Sequence, residues 1–156
     1  MPGSFLLYHV VLLDFLLRRF SFLVGCDHLF GLQMMSELVV YTGFVDGASR
    51  HTLNLAAAAW VIYEPSSQLL SSCSTCLGPS TNNIAEYSAI IELLLDTISH
   101  GIQHMVVRLD SQLVVLQLTG QYRVRDSFIL RKYLRIKLLE RQFHFITYVH
   151  IPRSEN

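Results

Sequence analysis

At 156 residues, 51% hydrophobic and 15% charged, the chain has the length and apolar content for one globular domain with a real core, which excludes a disordered segment. Twelve basic and twelve acidic side chains cancel, so net charge alone says nothing about a polyanionic partner. Three cysteines, Cys26, Cys73 and Cys76, exclude a disulfide scaffold and fit an intracellular, reducing compartment; no second pair exists to complete a zinc site with Cys73 and Cys76.

Residues 1–36 are expected to form an apolar extension of unassigned role. Phe5 to Val24 is interrupted by Asp14, Arg18 and Arg19, and its longest uncharged run, Phe5 to Leu13, is too short for a bilayer, which takes about 20 residues. No membrane partner is therefore expected, and no basic residue precedes the run as a secretory leader would require.

From residue 37 onward the pattern reads as a single domain. Leu38 to Val45 is β-branched and aromatic, a first strand that is expected to end in a turn at Asp46-Gly47-Ala48-Ser49. Ala56 to Tyr63 and Gln68 to Leu77, separated by Glu64-Pro65-Ser66-Ser67, complete an antiparallel meander. Ile84, Tyr87, Ile91, Leu94, Leu95 and Ile98 then recur at helical spacing, with Asn82 and Asn83 as candidate caps and His100-Gly101 as the stop. Met105 to Leu109 is a short strand ending at Asp110, and Ser111 is placed to cap a helix over Gln112 to Leu118. Ser127 to Arg141 reads as a second long helix and Phe143 to His150 as the last strand.

The order β-β-β-α-β-α-α-β predicts an α/β fold with a mixed five-stranded sheet flanked by helices. Its strand order would be 3-2-1-4-5 with strand two antiparallel, because the helical crossover returns strand four parallel to strand one. Between Arg123 and Arg141 seven basic residues face only Asp126 and Glu140, a local excess that would attract a phosphate backbone. The same stretch also reads as an amphipathic helix with a solvated face.

Three acids carry the chemistry. Asp46 and Asp110 close parallel neighbours, and Glu86 lies in the first turns of the helix between them, so all three are expected at the sheet edge where open α/β folds bind ligands. Taken singly, each has a plain structural use: a turn aspartate, a capping-box glutamate begun by Asn83, and a helix cap. Taken together they would repel unless a hard divalent cation, Mg2+ or Mn2+, compensates them. Two such ions about 3.5–4 Å apart can cleave a phosphodiester.

Phe44-Val45-Asp46-Gly47-Ala48-Ser49, Thr81-Asn82-Asn83-Ile84-Ala85-Glu86-Tyr87 and Leu109-Asp110-Ser111-Gln112 resemble the signature blocks of type 1 ribonuclease H domains, particularly the reverse-transcriptase-like group of plants and retroelements. The resemblance runs from Leu38 to Asn156. It implies a ribonuclease H-like fold and an endonuclease that hydrolyses the RNA strand of an RNA–DNA hybrid. Asp46, Glu86 and Asp110 match the metal ligands, Asn82 and Asn83 match contacts to the hybrid backbone, and Ser49 and Ser111 are further candidate substrate contacts. His150, in the stretch resembling the family's final block, is a candidate for proton shuttling or product release. A fourth carboxylate and the C-terminal helix carrying it would fall beyond Asn156, and the expected alternative is a catalytically impaired nucleic-acid-binding fragment. Leu53 to Ala59, alanine-rich, stands where the family commonly has glycine.

Overall fold

Alternation along the strands decides which side of the sheet is covered. The protein is described by a computed structural model over residues 39–50, 52 and 54–156, all within one compact unit, Leu38–Asn156. Residues 1–36, with the apolar run Phe5 to Val24 and Cys26, lie outside the described residues. In strand β1 (Tyr41–Arg50) Gly43, Val45 and Gly47 point inward; in β2 (Leu55–Tyr63) Ala56, Ala58, Trp60 and Ile62 do so. In β4 (His104–Leu109) Met105, Val107 and Leu109 share that buried face. The partners on the opposite face are partly or fully exposed, as period-two alternation requires.

The sheet order is β3-β2-β1-β4-β5, with β3 spanning Leu69–Gly78 and β5 spanning Phe145–His150. β1–β2 and β2–β3 pair antiparallel, whereas β1–β4 and β4–β5 pair parallel, as the crossover argument predicts. Helix α1 (Asn82–Ser99) lies across β1 and β2 and buries Tyr87, Ile90, Leu93 and Leu94 completely. Fully burying each such side chain is worth about 1.5–3 kcal/mol, so this helix contributes much of the core. The approach is close because the strand face beneath is small. A Cβ on Gly43 would lie 2.8 Å from the Leu93 side chain, and Ala56 and Ala58 are 3% and 0% exposed.

Helix α2 (Gln112–Leu118) follows β4, and α3 (Ser127–Leu139) packs on α1 through the fully buried Ile136. A 3-10 turn over Glu140–Gln142 replaces the expected last turn of α3. Its cause is local: Glu140 accepts hydrogen bonds from Lys137 Nζ and Tyr148 Oη, each at 3.0 Å, and is drawn toward β5. Lys137 also donates to the carbonyl of Leu118 at 2.7 Å, joining α3 to the end of α2.

Two other expectations are corrected. The first strand does not turn at Asp46: pairing with β2 continues from Asp46 opposite Ala59 to Arg50 opposite Leu55. Nor do the asparagines cap α1. Thr81 is the N-cap and its hydroxyl accepts from the Ile84 N–H at 3.3 Å, which places Asn82 and Asn83 inside the first turn and exposed. Cys73 and Cys76 are free and exposed on β3. Among the described residues no helix is long and apolar enough to cross a membrane.

A candidate metal centre at the carboxyl end of the parallel strands

The pairing of β1 with β4 runs in register to Phe44 opposite Arg108. Asp46 and Asp110 lie two residues further on, just past the paired segment, on strands about 4.8 Å apart. Asp46 is therefore mid-strand toward β2 and at an edge toward β4, which leaves its carboxylate exposed.

Glu86 reaches the same place because Gly47 has no side chain. A Cβ there would fall 2.2 Å from the Glu86 backbone nitrogen and 2.5 Å from the Ala85 carbonyl carbon. The glycine of the Asp-Gly pair thus serves a close helix–strand approach, and its use as a turn signal is excluded. With Thr81 as cap, Glu86 also lies beyond the position a capping-box glutamate takes, so that structural use is removed. Asp110 does not cap α2 either: Ser111 holds the N-cap position, and its side chain makes no capping bond.

The three acids converge. Asp46, Glu86 and Asp110 each offer a carboxylate oxygen, and these atoms lie within 4.8 Å of one another. Glu86 is 2% exposed, and its Oε2 has no hydrogen-bond partner. Burial, then the neighbouring charge of Asp110, then that of Asp46 push its pKa up from 4.5 to about 8, against the opposing pull of the Gly47 N–H and Arg153. A buried carboxylate without a partner is costly unless a cation or proton compensates it. All the donors are hard oxygens, so the set fits Mg2+ or Mn2+ better than a softer transition metal.

The chain's last residues fold back onto this site. Asn156 Nδ2 donates to the Val45 carbonyl at 3.0 Å, beside Asp46, and Arg153 Nε lies 3.4 Å from Asp110 Oδ2. Neither contact was inferred from sequence. The available signal was weak: a cation one residue past Pro152, after a strand whose end lies beside Asp110.

The remaining candidates are placed as follows. His150 ends β5 opposite Leu109, one residue before Asp110 on the adjoining strand, and is exposed; it is not part of the acidic trio. Asn82 and Asn83 stand exposed one turn before Glu86 on α1, whereas Ser49 is half-buried on β1, three residues past Asp46. Ser111 is half-buried beside Asp110.

A mixed sheet of this order, crossed by α1 and carrying three carboxylates at the end of its central parallel pair, defines a ribonuclease H-like domain. The comparisons carry that further. Residues 44–156 match the reverse transcriptase-like family. Ribonuclease HI of Halobacterium salinarum is 35% identical over 113 residues, covering 72% of this chain and 57% of that protein. The bifunctional protein Rv2228c of Mycobacterium tuberculosis is 34% identical over 112 residues, covering 71% of this chain and 31% of its own length. This chain therefore spans less than two thirds of either relative.

Among solved structures, the H. salinarum RNase H1 superposes with a TM-score of 0.71 at 34% identity, covering 74% of this chain and 88% of that one. LC11-RNase H1, solved in complex with an RNA/DNA hybrid, gives 0.70 at 31% identity, with 74% and 88% covered. The chain belongs to the reverse transcriptase-like family of type 1 ribonuclease H domains.

Proposed function

We propose that the domain is a divalent-metal-dependent endonuclease that hydrolyses the RNA strand of RNA–DNA hybrids. The observation that carries this reading is the meeting of Asp46, Glu86 and Asp110 around a buried carboxylate oxygen without a protein partner. Two relatives support the substrate: one is a ribonuclease HI, and another was solved with an RNA/DNA hybrid.

Asp46, Glu86 and Asp110 would hold Mg2+, or Mn2+ in its place. When bound, such ions supply an activated water and stabilise the leaving oxygen of the phosphodiester. The rest falls to the chain's own residues. Asn82 and Asn83, exposed one turn from Glu86, contact the hybrid backbone on its minor-groove side, where 2′-hydroxyls distinguish RNA from DNA. Ser111, next to Asp110, and Ser49, three residues past Asp46 on β1, are further substrate contacts in this reading. His150 lies on the strand adjoining Asp110, where its imidazole can take up or release a proton as product leaves. Contacts of this kind read backbone shape, so little base specificity is expected. Two exposed free thiols, Cys73 and Cys76, accord with an intracellular, reducing compartment.

The test is cleavage of an end-labelled hybrid by the full chain with magnesium. Cutting confined to the RNA strand is expected, with Asp110→Asn lowering its rate at least about 100-fold, beyond the 10–100-fold typical of residues that only orient metal ligands. Binding of the hybrid without any magnesium-dependent cutting would favour the alternative of a nucleic-acid-binding module.

A further inference from the structure

Helix α3 presents an unusual outer face. Leu130, Leu134 and Leu138 recur every fourth residue, so they form one stripe on the helix, and they are 38%, 52% and 59% exposed. Phe128, 66% exposed, lies beside Arg131, whose guanidinium carbon is 6.0 Å from the ring centre. The inner side of α3 is already used: Ile136 is fully buried, and Ile129, Tyr133 and Leu139 pack against the core. The stripe is therefore additional to what folding needs, and it spans roughly 12 Å at 1.5 Å per residue.

The charge around the stripe is one-sided for a structural reason. Both acids of this stretch are committed within the domain. Asp126 caps α3, its Oδ1 accepting from the N–H groups of Phe128 and Ile129 at 2.9 Å each; Glu140 accepts from Lys137 and Tyr148. Lys137 is itself drawn inward. Arg131, Arg135 and Arg141 remain exposed along the helix and just past its end.

We infer that the outer face of α3 is a docking surface for an acidic amphipathic helix of a partner protein. The partner would set apolar side chains against Leu130, Leu134 and Leu138 and Asp or Glu side chains against Arg131, Arg135 and Arg141. Two other occupants fit less well. A nucleic-acid backbone would pair with the arginines but leave the leucines in water. A second copy, docked through the same face, would set the arginines of one α3 against those of the other. The stripe is short, so the interface belongs to the small class, under about 1,200 Å2, where binding is weak and transient.

The test uses the full chain and a fluorescent helical peptide with leucines at every fourth position flanked by glutamates, followed by anisotropy. Micromolar binding is expected. Leu134→Ser and the charge reversal R131E/R135E should each weaken it about tenfold or more, a change of about 1.4 kcal/mol. Both variants alter exposed side chains, and unchanged thermal unfolding will confirm that they fold. A lysine-flanked peptide should prefer R131E/R135E over the unmodified chain. The inference is overturned if the acidic peptide does not bind, if the variants bind it equally, or if excess hybrid displaces it. It is likewise overturned if Leu134→Ser abolishes self-association or binding to phosphatidylserine vesicles, since the face would then belong to a second copy or a lipid surface.

Discussion

Two acids on the same helix meet opposite environments. Asp96, near the end of α1, has its carboxylate surrounded by donors: Trp60 Nε1 at 2.9 Å and Ser71 Oγ at 2.8 Å both donate to Oδ2, and His100 Nδ1 lies 3.3 Å from Oδ1. Glu86, near its start, is buried beside two further carboxylates and keeps an oxygen with no partner. The first ties the helix to β2 and β3. The second sits in a concentration of carboxylates that the Gly47 N–H and Arg153 offset only in part. Where protein donors satisfy an acid, its use is structural; where neighbouring acids outweigh the donors that face it, a bound cation is the proposed partner.

Neutralising each acid separates the two roles most sharply. Glu86→Gln should lower hybrid cleavage at least about 100-fold, because a proposed ligand is lost, while raising the stability of the metal-free protein near neutral pH, where buried Glu86 must otherwise take up a proton on folding. Asp96→Asn should act in the reverse sense. It keeps one oxygen to accept from Trp60 and Ser71 but replaces a charged acceptor with a neutral one and turns an amide NH2 toward His100, costing about 1 kcal/mol of stability, with cleavage per folded molecule unchanged. Denaturant unfolding and single-turnover cleavage on both variants measure the two effects. Equal loss of activity in both would erase the distinction.

A second effect follows from protonation. Glu86 has its folded pKa raised from 4.5 to about 8, so between those values the folded state keeps a proton that the unfolded state has shed. Its contribution to stability is complete below the unfolded value and is lost as pH rises through about 8. In chelator-treated protein, unfolding free energy should fall across that window by on the order of a few kcal/mol. Glu86→Gln should flatten the profile, and saturating magnesium should oppose the loss at the alkaline end. Chemical denaturation at a series of pH values reads all three.

A smaller effect is expected at Gly47. Gly47→Ala forces α1 away from β1 and should cost about 1–3 kcal/mol. It should also displace Glu86, so cleavage should fall by more than the loss of folded protein accounts for. Thermal unfolding read together with activity separates these contributions.

Much of this was legible in the residues. The sheet order followed from the sequence of elements and the crossover, and α2 has the bounds that the Asp-Ser signal and the Thr119-Gly120 break suggested. The trio of acids was legible for the same reason, since parallel pairing brings Asp46 and Asp110 to one edge. What local sequence could not show was what Gly47 touches. Asp-Gly is a strong turn signal, and only the α1 backbone pressed on it makes it a strand residue. Thr81, Asn82 and Asn83 can all cap a helix, and which one does depends on where the chain leaves the Gly78-Pro79-Ser80 break. The basic stretch was readable as charge, but its commitment of Asp126 and Glu140 inward, and the leucine stripe it leaves outside, depend on packing. Arg153 and Asn156 reach the site through a turn with no strong sequence signal.

Calorimetric titration of the full chain with Mn2+ and Mg2+ tests most directly whether Asp46, Glu86 and Asp110 form one cation site. Saturable binding is expected, abolished by Asp110→Asn and by Glu86→Gln and unaffected by Asp96→Asn. Absence of binding in the unmodified chain, or binding that survives loss of either ligand, would contradict it.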